Sequence, residues 1–380
     1  MRRLHLGPDG NITSATLFRL SRNSPGGVLF PKLGWLHWDI NATHNALSSF
    51  RLFLSPHLKV VTFYVNPNQP VIMPWDHLAA LVQIISCLPT SLEHLSLTCN
   101  QVEEGPLRGK LSSLFLQYGS SLKGLVVDIP MSEAAIHHII QLPNLHWWLT
   151  VQAPPRTIPL SIFPSLEDLR IANEAALPWL PLLASHGKGA AQEGSVPTTS
   201  HTNVRETLKH LGYFMNTIVD STFLSPILEF RNLVSLCVES ICPNPGDCTF
   251  RLTDDNVESL AAVLPRLEIL ELGRPCHLNS CNTTVASLLS ISNHCPALTG
   301  LEIHFKTLTI VDDIRRLLGG RTSDQPKCRV HELSVGDLPL EVGGEDIDTV
   351  ATGLKAIFPC LMDFPDSEGQ WDEVKSKLED

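Results

Sequence analysis

One short order of apolar and polar positions recurs along the chain. In LEHLSLTCN the apolar Leu92, Leu95 and Leu97 stand first, fourth and sixth, and Asn100 stands ninth. The same order places Leu33, Leu36, Trp38 and Asn41, then Leu58, Val61, Phe63 and Asn66, and later Leu208, Leu211, Tyr213 and Asn216. Copies without the Asn begin at Leu122, Leu145, Leu166, Leu233, Leu267, Leu298 and Val330. Alternation through the middle of the pattern predicts a short strand. Its fourth and sixth side chains enter a core, and its third, fifth and seventh face solvent. An Asn just after the strand can satisfy backbone groups where the chain turns.

Helical spacing fills the intervals. Leu111, Leu114, Phe115 and Tyr118 follow it, as do Val257, Leu260, Ala261 and Leu264 behind a Thr253 cap and the acids Asp254 and Asp255. Ile347, Val350, Ala351, Leu354, Ile357 and Phe358 form a last stripe, halted at Pro359. A strand and a helix per textual repeat is the signature of a leucine-rich-repeat solenoid. The fold class expected is therefore an α/β horseshoe, with parallel strands on the concave face and helices on the convex one.

The repeat starts lie from 21 to 42 residues apart. In the copy that begins at Leu145, Thr150 falls at a core position and Leu149 at an exposed one, which makes its register doubtful. The longest interval holds SHGKGAAQEGSVPTTSHTN, small and polar residues that read as a mobile loop from about Ser185 to Asn203. MRRLHLGPD fits the pattern with Met1, Leu4 and Leu6, so the chain is expected to start inside a repeat. Its first edge would then be covered by an upstream continuation or by another body. The domain reading is a repeat domain over 1–362, followed by an acidic tail over 363–380.

Composition narrows the classes. With 43% hydrophobic and 18% charged residues the chain can bury a sizeable core. A net charge of −11 disfavours nucleic acid, whose phosphates need a basic patch. From Asp363 onward seven acids face two lysines, which reads as a solvated end. The start turns polar within a few residues, without the apolar run of a secretory signal. The longest apolar helix candidate, Leu78 to Leu88, is too short to span a bilayer. No membrane role is expected, and the ten cysteines are read as reduced thiols of an intracellular protein, cytoplasmic or nuclear. The sequons at Asn11, Asn41 and Asn282 are short enough to arise by chance.

The sequence offers little chemistry. Cys237, Cys242, Cys248, Cys276, Cys281 and Cys295 crowd one region beside His277 and His294, but lack the paired close spacing of a zinc site. They are read as small core-filling residues, and neither metal nor cofactor is expected. His137 and His138 are neighbours on a helix, so they cannot share one face, and one packed with one solvated is the expectation. No H-E-x-x-H, G-x-S-x-G or phosphate-loop pattern occurs, so no catalytic residue is assigned and the chain is not read as an enzyme.

The wording between the repeats carries a resemblance. GGVLFPKLGWLHWDI, LAALVQIISCLPTSLEHLSL, FRLTDDNVESLAAVLPRLEILELG, CNTTVASLLSISNHCPALTGLEIHF and VGDLPLEVGGEDIDTVATGLKAIFPCL, in this order, are similar to fungal (basidiomycete, mushroom-type) F-box/leucine-rich-repeat proteins. The resemblance covers most of residues 1–362. It implies substrate recognition in a Skp–cullin–F-box ubiquitin ligase, with the repeats holding a target protein. The F-box itself, a helical module expected ahead of the repeats, is missing from this chain. Contact with the ligase adaptor is therefore expected only of a longer form that carries one.

The function expected is that of a protein–protein interaction scaffold with an unknown protein target. The alternatives are a regulatory leucine-rich-repeat scaffold with no ubiquitin link and a truncated product without function. The exposed strand positions expected to meet a partner are Trp35, His37, Asp39, Tyr64 and His94 in the N-terminal copies. In the C-terminal copies they are Glu239, Glu271, Glu302, His304 and Glu332. Aromatic anchors dominate the first set and carboxylates the second.

Overall fold

A computed structural model describes residues 3–6, 28–39, 50–64, 86–98, 106–159, 162–185, 204–215, 217–240, 249–273, 282–320, 328–335, 340, 342–365 and 370–379, with a few isolated positions besides. The chain divides into two compact units. The first is Met1–Glu167 with Ala175–Pro178 and Val196–Val204; the second is Asp168–Glu174, Trp179–Ser195 and Arg205–Asp380. Both are α/β with parallel strands.

In the first unit β1 (Arg3–Leu6), β2 (Trp35–Asp39), β3 (Val60–Tyr64), β4 (His94–Thr98), β5 (Gly124–Val127) and β6 (Trp147–Thr150) pair in chain order. In the second β7 (Asp168–Ile171), β8 (His210–Met215), β9 (Ser235–Ser240), β10 (Ile269–Leu272), β11 (Gly300–Ile303) and β12 (Glu332–Ser334) do the same. Register follows the textual pattern. Fourth positions pair with fourth positions, as Leu36 with Val61 and Leu270 with Leu301.

Burial obeys the pattern too. The first positions from Leu33 to Val330, the fourth from Leu36 to Leu333 and the sixth from Trp38 to Val335 are all buried. The doubtful copy keeps its register, with Trp148 and Thr150 fully buried. The Thr150 hydroxyl accepts the Gln152 N–H at 3.2 Å, so the polar core position is hydrogen-bonded. The four Asn positions lie outside the described residues.

Just before most strands the second residue's carbonyl accepts two N–H groups from the next repeat. Lys59 O takes Glu93 N at 2.8 Å and His94 N at 2.9 Å; Glu268 O takes Thr299 N at 2.8 Å and Gly300 N at 3.2 Å. This ladder satisfies backbone groups that the strands leave over.

Helices back the strands. Those described include α1 (Pro106–Phe115), α2 (Glu133–Ile139), α3 (Trp179–Ser185), α4 (Asp254–Val263), α5 (Val285–His294), α6 (Ile310–Gly320), α7 (Gly344–Ile357) and α8 (Gln370–Glu379). All three helical stripes read from the sequence are buried. At the start of α4 the Thr253 N–H donates to Asn256 Oδ1 at 3.1 Å. Asp254 then accepts from the Thr284 N–H at 2.7 Å and the Thr284 hydroxyl at 2.8 Å, tying α4 to the cap of α5. Among the described residues no helix is long and apolar enough to cross a membrane. Of the loop expected over 185–203, Ser185 ends α3, and 186–203 lie outside the described residues. Most of the 78–88 helix candidate does as well.

The acidic end is not a solvated tail. α8 packs on α7, burying Trp371, Val374 and Leu378 at i, i+3 and i+7 within the acidic run. Phe364 meets the Trp371 ring at 5.3 Å between centroids, and the Gln370 amide bonds both backbone groups of Val342. Ahead of α8, Met362 and Asp363 donate their N–H groups to His331 O at 3.0 Å each, which adds a rung beside β12.

Three substitutions test this packing. Leu95→Ala should cost about 2–5 kcal/mol in urea unfolding, and Thr98→Ala on the opposite face no more than about 0.5 kcal/mol. Trp371→Ala should cost about 3–5 kcal/mol, whereas a solvated tail would lose nothing measurable.

Candidate functional site

Strand alternation leaves each unit an outward strand face. In the first unit it presents Arg3, His5, Trp35, His37, Thr62, Tyr64, His94, Ser96, Trp147 and Leu149, all half-buried or exposed. Arg3 stacks its guanidinium 5.6 Å from the Trp35 ring centre. The His5 and His37 rings meet edge to face at 4.3 Å, and Trp35 lies 6.4 Å from His37. The His94 ring lies over Gly124 on the next strand, where any Cβ would collide with its Nδ1. Glycine at 124 is therefore what leaves room for the imidazole there.

Beside this face runs an ion-pair ladder on second positions. Glu93 receives Lys123 Nζ at 2.9 Å and also the Lys59 ammonium. These hydrogen bonds, from Lys59 first and Lys123 second, hold the carboxyl down at about 2. Burial lowers the His94 imidazole below its ordinary value.

The second unit's face differs. Asp168 and Arg170 pair at 3.4 Å on β7. Cys237 and Glu239 follow on β9, Glu271 on β10, Glu302 on β11 and Glu332 on β12, half-buried except for the exposed Glu332. Register sets Cys237 beside Glu271, and Glu271 beside Glu302. The Cys237 thiol lies 3.9 Å from Glu239 Oε1, and the donor atoms of Cys237, Glu239 and Glu271 all lie within 4.8 Å of one another. Burial first, then hydrogen bonding to Glu271 and the charges of all three glutamates, pushes this thiol well up.

Of the residues expected on these faces, Trp35, His37, Tyr64, His94, Glu239, Glu271, Glu302 and Glu332 lie there. Asp39 pairs by backbone with Tyr64, and its side chain lies outside the described residues. His304 does not belong. β11 ends at Ile303, and His304 is only 2% exposed. Its carbonyl accepts the buried Thr283 hydroxyl, and Phe305 follows it into the core, so the chain has already turned inward.

Two further readings change. Cys237 stands on the outward face instead of filling the core, while Cys295 is buried as expected, its thiol 3.7 Å from Ala261 O. Cys242, Cys248, Cys276 and Cys281 lie outside the described residues. His137 and His138 are both half-buried and bond separately, to the Thr157 hydroxyl at 3.3 Å and to Tyr118 O at 2.9 Å. Arg3, His5, Trp147 and Cys237 were legible from the same alternation, since each occupies a third or fifth position. No protein-family model and no curated protein matches the chain.

The ladder yields a pH test. A carboxyl held below its usual 4.5 contributes stability that is full above that value and is lost as pH falls toward about 2. Glu93→Gln should therefore cost up to about 1 kcal/mol at neutral pH, since both lysines are well solvated. The gap between variant and parent in urea midpoint should close as pH drops through that window.

Proposed function

We propose that the chain is a leucine-rich-repeat protein, each unit an arc with strands on its concave face, and that it works as a protein-binding scaffold without catalysis of its own. One observation carries this reading. The first and fourth positions are mostly leucine and the sixth is apolar in every copy but that of Thr150, all of them buried, while the outward positions vary from strand to strand. A core that repeats beneath a surface that does not is what a broad recognition face requires. Trp35, Tyr64 and Trp147 offer aromatic anchors on the first unit, and the glutamates offer charge selection on the second.

The order of segments shared with fungal F-box/leucine-rich-repeat proteins supports the narrower role of a substrate receptor for a ubiquitin ligase. In that role the target rests on the strand face, and the adaptor is contacted by an F-box in a longer form. Nucleic acid and membrane are not among the partners proposed, and the location proposed is inside the cell.

Capture from cell lysate tests the face. Trp35→Ala with Tyr64→Ala, and separately Glu302→Lys with Glu332→Lys, should deplete the set of retained proteins without changing the fold. Changes on the helical side, such as Ser113→Ala or Glu258→Ala, should leave it intact. Losses from the helical changes alone would overturn the assignment. In a separate pull-down, residues 1–380 should fail to retain the ligase adaptor, and strong retention would refute the reading that the adaptor-binding module is missing from this chain.

A further inference from the structure

We propose that Cys237, Glu239 and Glu271 form a binding site for a divalent transition-metal ion of the zinc class on the outward strand face of the second unit. Three features of the backbone build it. Cys237 and Glu239 are two residues apart on β9, so both project to the same face. Glu271 is the register partner of Cys237 on β10, so it stands one strand spacing away, about 4.8 Å. Their donor atoms already converge to within 4.8 Å of one another. A zinc ion bonds sulfur at about 2.3 Å and carboxylate oxygen at about 2.0–2.2 Å, so small side-chain rotations close the set around one ion.

The donor mixture selects the ion. Calcium and magnesium take oxygen ligands alone, and a thiolate in the set favours a softer or borderline cation. A plain acidic surface would be all oxygen and fully solvated. Here the thiol is half-buried at the centre, and one side of it is walled. On β8 the Phe214 ring folds over Gly212, the register partner of Cys237, where an added Cβ would come within 3.1 Å of the ring. That apolar wall lowers the local dielectric and strengthens attraction between a cation and the carboxylates. Glu302, register partner of Glu271, adds charge on the open side. On binding, the sulfur–hydrogen bond is exchanged for a metal–sulfur bond and the proton leaves to solvent. No electron is transferred.

The site does not depend on the scaffold reading, and its test uses no protein partner. Reduced, chelator-stripped chain is titrated with Cd2+ while the sulfur-to-metal absorption band is followed, and with Zn2+ in competition with a chromophoric chelator. Cys237→Ser and Cys237→Ala should each remove one equivalent of ion and its share of the band. Glu239→Gln and Glu271→Gln should each weaken that equivalent by on the order of tenfold or more, since losing even an outer partner of a metal commonly costs that much. Circular dichroism identifies variants that remain folded. Unchanged stoichiometry in both Cys237 variants overturns the proposal. So does loss in those variants with wild-type binding in both glutamine variants, because a thiol acting alone is not this site.

Discussion

Parallel strands stacked at one fixed register are the constraint on which the molecule depends. Within each unit the second-position carbonyls, most of them taking two N–H groups from the following repeat, tie strand to strand before any side chain is considered. Once register is locked, each position of the pattern becomes a column. The fourth and sixth columns form the core, and the third and fifth turn to the outward face, most of them half-buried or exposed. A one-residue slip would move Leu95 and Leu97 outward and expose Ser96 and Thr98 to the core.

The uneven spacing of the repeats is tolerated because it falls where register does not care. Intervals of 21 and 42 residues separate copies whose first, fourth and sixth residues are equally buried. Extra residues fall in the connections between strands, and lengthening a connection costs little entropy compared with breaking a rung. The thiol of Cys328, which reaches Cys295 O at 3.2 Å, and the pairing of Asp254 with Thr284 show how adjacent repeats are tied on that side as well.

The strands, their register and most of the outward faces were legible in the sequence because a period of two is a strong signal over five residues. The helical stripes behind them were legible by the same logic. What escaped did so for identifiable reasons. His304 sits one residue past β11, and a pattern cannot tell where a strand stops and the chain turns inward. The C-terminal helix was hidden by its charge, since Trp371, Val374 and Leu378 are a sparse stripe among acids. Cys237 was judged by its distance to other cysteines along the chain, whereas its neighbours in space come from register, and Glu271 is 34 residues away.

Separation of core columns from surface columns also governs what the surface can carry. Glu271 and Glu302 stand one strand apart, and at about 4.8 Å in water two such charges repel by only about 0.9 kcal/mol. The repeats contribute far more than that through their buried leucines, so a run of like charges costs the fold almost nothing. Toward Phe214 and the half-buried thiol the same repulsion grows, because water screens less there. The second unit's face is thus graded, from solvated carboxylates at Glu332 to a crowded, walled group at Cys237. A cationic partner gains most at the walled end, and a compact divalent ion fits three converging donors better than a flexible lysine does. The first unit's face holds clustered rings and few charges, so the two faces would suit different chemistry on the same backbone.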